Sequence, residues 1–227
     1  MSLNHSPAIV TDGLVLCLDA ANIRSYPKSG TTWIDIVGGN QAAMSNMNSV
    51  SNFSTGNGGY FILDGTNEYF NLGSALTGSS DFTLNGWFST DSTTFSYIYG
   101  KGVNSNSSGG IGIAQTGGGV YGAIGTSTTR KTLTAVGSIN TGEWQNLSIV
   151  FDRDADATIY LNGAVVGTES ISTAQGDILT ENDYIGRYGY TLAGFFDGKI
   201  SMVSAYNRAL SADEVRRNYE ATVGRYT

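Results

Sequence analysis

One cysteine, one histidine and two prolines occur in 227 residues, and only 14% of the chain is charged. A lone cysteine excludes an internal disulfide framework. Cys17 falls in the apolar run Leu14-Val15-Leu16-Cys17-Leu18 and reads as a buried, inert strand residue. The only histidine, His5, lies in the N-terminal tail, which leaves no Ser-His-Asp arrangement and no His/Cys cluster for zinc. No apolar stretch approaches the roughly 18 residues of a membrane helix, so no membrane insertion is expected. Lysine and arginine total 12 against 19 acidic residues, a net charge of −7. Binding of nucleic acid needs a basic face that this balance does not supply. The opening Met1-Ser2-Leu3-Asn4-His5-Ser6-Pro7 has neither a basic nor an apolar region of a signal peptide, so a cytoplasmic site of synthesis is expected.

What the chain has is β-sheet material. Hydrophobic residues make up 40%, aromatics 11%, and the 31 glycines are scattered without a period. Short apolar or alternating runs at 14–18, 60–63, 69–72, 82–88, 97–99, 110–114, 120–124, 147–151, 158–161, 165–171, 184–185 and 195–206 are separated by Gly, Asn, Asp, Ser and Thr clusters. Gly117-Gly118-Gly119 and Asn162-Gly163 read as hairpin turns, and Asp64-Gly65-Thr66-Asn67 as a turn between two runs. The expectation is an all-β sandwich of two antiparallel sheets: a tail over 1–12, then one domain over 13–227. One helix breaks the pattern near the end. Ser211-Ala212-Asp213-Glu214 is a capping box, Val215 and Tyr219 give an apolar edge, and the helix is expected to close one end of the sandwich.

The ordered motifs Phe82-Thr83-Leu84-Asn85-Gly86-Trp87, Tyr99-Gly100-Lys101, Gly142-Glu143-Trp144-Gln145-Asn146-Leu147, Tyr160-Leu161-Asn162-Gly163, Ile185-Gly186, Phe196-Asp197-Gly198-Lys199-Ile200 and Tyr206-Asn207-Arg208-Ala209-Leu210-Ser211 resemble the laminin-G-like family of concanavalin A-like jelly rolls. The resemblance covers roughly residues 59–223. It implies a jelly-roll β-sandwich with a short C-terminal helix, in which Trp87 and Trp144 are core aromatics. The flanks Asp12-Gly13-Leu14-Val15-Leu16, Ser25-Tyr26-Pro27, Gly30-Thr31-Thr32-Trp33-Ile34-Asp35 and Asn218-Tyr219-Glu220-Ala221-Thr222 are similar to the edges of such domains in tailed-phage virion proteins. The same edges occur in bacterial surface proteins.

Glucanases of this superfamily use paired carboxylates in a Glu-x-Asp-x-x-Glu pattern. The nearest match, Glu181-Asn182-Asp183, has Gly186 in place of the last carboxylate, so the two acids read as a polar turn and the chain as no enzyme. Relatives of this fold often hold a rim calcium, and the resemblance implies Asp64 as the candidate ligand, against its plain role as a turn acceptor. No cofactor is required. Asp152-Arg153-Asp154-Ala155-Asp156 copies the start of a calcium loop but has Ala157 and Gly163 at the decisive positions, and reads as a solvated hairpin turn.

Carbohydrate needs exposed aromatics with polar groups beside them. Tyr188 and Tyr190, on one face of an extended segment, form a candidate stacking platform, with Arg187 next to them and Tyr97 and Tyr99 as a second group. The competing role for all of these is sheet packing, with at least one of Phe195 and Phe196 in the core. Asn104 to Ser108 reads as a polar loop near Tyr97 and Tyr99 in sequence. Two functions remain. One is a non-enzymatic phage virion surface protein (decoration, fibre or tail-associated), with capsid or tail proteins as partners and host-surface glycans as possible ligands. It would be made in the host cytoplasm and leave by lysis. The other is a lectin-like or adhesion module of an extracellular bacterial protein.

Overall fold

A computed structural model describes residues 7–76, 78, 80–102, 110–116, 119–126, 129–135, 139, 141–178 and 181–227. Two eight-stranded sheets face each other among the described residues. The strands run in chain order as β1 Leu14–Asp19, β2 Thr32–Ile34, β3 Gln41–Ser45, β4 Phe53–Ser54, β5 Tyr60–Asp64, β6 Tyr69–Gly73, β7 Phe82–Ser89 and β8 Ser96–Lys101. They continue as β9 Gly110–Thr116, β10 Gly119–Gly125, β11 Arg130–Ala135, β12 Trp144–Phe151, β13 Asp156–Leu161, β14 Ala164–Ser170, β15 Asp183–Ile185 and β16 Asp197–Tyr206. The first sheet has the order β14-β13-β12-β7-β16-β5-β4, with β1 also pairing β16; the second has β11-β10-β9-β8-β15-β6-β3-β2. All the pairings are antiparallel.

Between the sheets lies one apolar core that includes Leu16, Trp33, Phe61, Phe70, Leu84, Phe88, Ile98, Val120, Leu133, Ile149, Ile185 and Phe196. The Asn162-Gly163 turn joins β13 to β14 with both residues at positive φ, 52° and 77°, as a type I′ hairpin requires. The turn at Asp64-Gly65-Thr66-Asn67 has a different role from a hairpin: β5 pairs β16 in the first sheet, while β6 pairs β3 and β15 in the second. It carries the chain from one sheet to the other. Residues 117–118 of the expected glycine turn lie outside the described residues, and β9 and β10 pair in register from Thr116↔Gly119 onward.

Every residue of β7 is buried. A strand with one wet face cannot show that pattern, so both faces of the first sheet must be covered. The outer cover is helix α1, Ala212–Thr222, with the turn after it and the segment before β1. Trp87 is fully buried, but beneath this cover and not between the sheets. Its ring stacks on Tyr226 at 4.1 Å and Tyr219 at 5.7 Å, and its Nε1 donates to Thr222 Oγ1 at 2.8 Å. Trp144 stays half-buried between Tyr60 and Tyr226. The helix therefore lies across a sheet face and does not merely close one end.

Residues of the expected tail take part in this layer. Val10 N donates to Asn218 Oδ1 at 2.8 Å, and Val10 O accepts from the Tyr206 hydroxyl at 3.0 Å. Both ends of the capping box are made: Ser211 Oγ accepts from Glu214 N and Glu214 Oε2 accepts from Ser211 N. Arg208 adds a two-pronged pair to Glu214, at 2.9 and 2.6 Å. These Arg208 bonds first, and the Ser211 backbone second, pull the Glu214 carboxyl down to about 2. Cys17 is buried, and desolvation first, with Asp19 and Asp35 adding, pushes its thiol up to about 12, in keeping with an inert residue.

A depressed carboxyl stabilises the fold above its unfolded value and loses that contribution as pH falls through the folded one. Urea denaturation of wild type and Glu214→Gln is expected to show a stability gap that is full above about pH 4.5 and closes toward pH 2. A gap that does not change with pH would contradict the pairing.

Candidate functional site

The outer face of the second sheet carries a cavity of about 440 Å³. It is lined by Phe95, Tyr97, Tyr121, Arg130, Tyr188, Tyr190, Thr191, Ala193 and Gly194. A β-bulge makes the first wall. β8 meets β9 through Tyr97↔Ala114 and then Tyr99↔Ile113, which leaves Ile98 as an extra residue. A bulge re-aims the side chains that follow it. Ile98 and Tyr99 accordingly both enter the core, while Tyr97 points out to the cavity. The two tyrosines that an ideal strand would place on one face are thus parted.

Tyr121 on β10 stands in register with Tyr97 across Ala114. It alternates with Val120 and Gly122, so it too faces outward: Val120 lies in the core, and a Cβ on Gly122 would meet Ile149. Phe95 sets its ring edge against both, at 5.1 Å from Tyr97 and 5.2 Å from Tyr121. Arg130 on β11 donates from Nη2 to the Tyr121 hydroxyl at 2.8 Å. Burial is the main force raising the phenols of Tyr97 and Tyr121, with the Arg130 cation opposing it in both. Both hydroxyls therefore stay protonated at neutral pH and can donate.

The second wall is the 187–194 loop. Tyr188 stacks on Tyr97 at 4.9 Å, and Tyr190 stands 43% exposed at the rim. Arg187 does not line the cavity; it is buried beneath the loop. Its guanidinium lies 3.6 Å over the Tyr184 ring and 4.6 Å over Tyr69, and Nη1 donates to Tyr188 O at 2.9 Å and Thr191 O at 2.8 Å. Burial of a cation on two aromatic faces is favourable only when its N–H groups are satisfied. For Nη1 the two carbonyls do this and hold the loop closed, whereas the buried Nε is left without a hydrogen-bond partner. Arg187 thus positions Tyr188 and Tyr190 from behind.

Backbone contact fixes the loop further. A Cβ on Gly189 would stand 2.2 Å from Lys101 C, and one on Gly100 would stand 2.4 Å from Arg187 O. Only glycine at both places lets the loop lie directly on β8. Residues 103–109, which include the polar loop expected near Tyr97, lie outside the described residues.

The carboxylates weighed for catalysis are parted. Glu181 is exposed, whereas Asp183 is wholly buried in β15 and not in a solvated turn. Asp183 Oδ1 pairs with Lys101 Nζ at 3.2 Å, both side chains at 0% exposure, and its Oδ2 accepts from the backbone N–H groups of Ala75 and Leu76. Lys101 also donates to Ser74 Oγ and Glu181 O. This pair ties the middle of the second sheet to the loop after β6. Arg153, expected in a wet turn, is likewise buried and donates to Ala174 O and Gly176 O. Asp64 is a turn acceptor: Oδ1 takes the N–H of Thr66 at 2.8 Å and of Asn67 at 3.4 Å, while Glu68 Oε2 takes that of Asp64. No three His, Cys, Asp or Glu side chains converge on a metal position among the described residues.

A family model for the concanavalin A-like lectin/glucanases superfamily matches residues 64–216, more than half of the chain. The chain belongs to this superfamily. No curated protein matches it in sequence. Among solved structures it is similar to the binding domain of Paraclostridial Mosquitocidal Protein 1, with TM-score 0.67 and 16% identity over 91% of this chain and 52% of that one. The botulinum neurotoxin type G receptor binding domain gives TM-score 0.64 and 20% identity over 92% and 51%. The botulinum neurotoxin serotype D binding domain gives 0.66 and 16% over 93% and 51%. This superfamily member therefore spans about half the length of those structures, and at such identities the likeness is one of fold.

Two outcomes are expected from the site's supports. Gly189→Ala should lower the melting temperature and uncouple Tyr188 from Tyr97, seen as changed tyrosine near-ultraviolet circular dichroism; an unaltered spectrum would contradict the close approach. Asp183→Ala leaves Lys101 buried without its partner and should cost about 3–5 kcal/mol in chemical denaturation.

Proposed function

We propose that this domain is a non-enzymatic recognition module that binds carbohydrate on a cell surface through the tyrosine cavity. The observation that carries the proposal is the aromatic lining of a 440 Å³ recess on the outer face of the second sheet. That volume falls within the range of small-molecule sites, about 300–1,000 Å³. Sugar rings offer apolar C–H faces to aromatic planes and hydroxyls to donors and acceptors at their edges. Tyr188 and Tyr190 supply the planes, and Tyr97, Tyr121, Thr191 and Arg130 supply the polar edge. Among these groups there is no carboxylate to act as general acid or nucleophile, and Asp183 is sealed beside Lys101. The similar structures are themselves described as binding or receptor-binding domains, which supports a recognition role.

The setting we propose is the surface of a phage particle, as a decoration, fibre or tail-associated domain in contact with capsid or tail proteins. Its support is the sequence of the flanks. Trp33, Asp35 and Tyr26 of those flanks are buried parts of the fold, so the flanks also have a structural reason to take this form. The alternative setting is a module of a secreted or cell-surface bacterial protein, which the likeness to toxin domains favours. Co-sedimentation of the protein with purified particles separates the two.

A glycan array run with calcium and with chelator tests the binding itself. Reproducible binding to one glycan class is expected, equal in both conditions because no carboxylate lines the cavity. Tyr190→Ala should abolish binding with little change in melting temperature, since its ring is at the rim. A blank array in both conditions would overturn the carbohydrate proposal and leave a purely structural role.

A further inference from the structure

Each of the 19 acidic residues of the chain is described, and none lies within ion-pair distance of Arg130. Arg130 is exposed at the cavity wall, and its side chain bonds two neutral phenols, Tyr121 through Nη2 at 2.8 Å and Tyr97. It is also the single cation among the described lining residues, which include no Asp, Glu, Asn or Gln. Neutral sugars are commonly fixed by carboxylates and amides, which accept from sugar hydroxyls. This cavity instead offers a donor-only guanidinium fork beside phenol and Thr191 hydroxyls that both donate and accept.

We infer that the cavity selects a sugar bearing one carboxylate, a uronic-acid-type residue, and that Arg130 is its carboxylate receptor. The inference rests on the carbohydrate reading above and names the chemical class within it. The sugar ring lies against Tyr188 and Tyr190 while the carboxylate takes the guanidinium edge left free by the phenols. A planar guanidinium matches a carboxylate with two parallel hydrogen bonds, and its own bond to Tyr121 holds it in place beforehand. A single charge on the ligand is set by the rest of the surface. With a net charge of −7, the domain repels an extended polyanion, so a densely sulfated chain or a nucleic acid is disfavoured while one carboxylate beside one arginine is not.

The test compares methyl β-glucuronide with methyl β-glucoside, two ligands that differ in the carboxylate alone, by saturation-transfer NMR titration of the whole chain. The glucuronide is expected to bind at least about ten-fold more tightly, as charge-assisted hydrogen bonds imply. That advantage should shrink as salt rises. Arg130→Gln should remove the advantage, and Arg130→Lys, which keeps the charge and loses the fork, should keep part of it. Both variants are exposed, and an unchanged melting temperature checks that they fold. Equal binding of the two glycosides, lost in Tyr190→Ala, would overturn the acid selectivity and leave the carbohydrate function standing. A glucuronide preference that survives in Arg130→Gln would overturn the role of Arg130. Absence of binding by either glycoside and a blank glycan array would overturn both.

Discussion

The middle of the first sheet must be dry on both faces, and the placement of everything else follows from that. Its central strand β7 alternates core residues such as Leu84 and Phe88 with Thr83, Asn85 and Trp87, and all are buried. The outward set is half polar, so covering it requires partners as well as apolar contact. Thr222 receives the Trp87 N–H, Asn85 and Asn146 bond each other and Ser148, and Asn218 and Tyr206 clasp Val10. Residues 9–10 before β1 and 212–226 after β16 are taken up in this layer. The helix therefore covers the first sheet, and the recess lies on the outer face of the second.

That recess depends on a short chain of local events in the second sheet. The extra residue at Ile98 turns Tyr97 outward, and Gly100 and Gly189 let the following loop lie against the strand. Arg187 then clamps the loop by two carbonyls from below. The buried Lys101–Asp183 pair sits directly under the same contact, joining β8 to β15. A buried ion pair is a poor source of net stability compared with apolar packing, but it is strict about geometry. Here it holds in register the two strands from which the cavity's loop departs.

Electrostatics distinguish the two arginines that look alike in composition. Arg187 is buried among aromatic faces and bonded through Nη1 to two backbone carbonyls, which makes it a scaffold element. Arg130 faces solvent beside neutral phenols and has no carboxylate partner. The domain thus combines an aromatic recess with one directed positive charge.

Much of the architecture was legible in the chain itself, because it depends on short-range rules. Alternation marked the long strands, Asn162-Gly163 marked a hairpin by its tolerance of positive φ, and Ser211 with Glu214 marked the start of the helix. The short strands β2, β3 and β4 carry too few residues for a period to show, and β11 is rich in Thr and cations. Tyr188, Tyr190 and Tyr97 could be named as candidates by type, since aromatics beside loops are visible in one dimension. Only the tertiary structure decided that Tyr97 faces the cavity while Tyr99 does not, that Arg187 lies behind it, and that Tyr121 and Arg130 complete it. Those outcomes turn on a bulge, on two glycine contacts and on cross-strand register, which are pairings between residues far apart in the chain that no local pattern records.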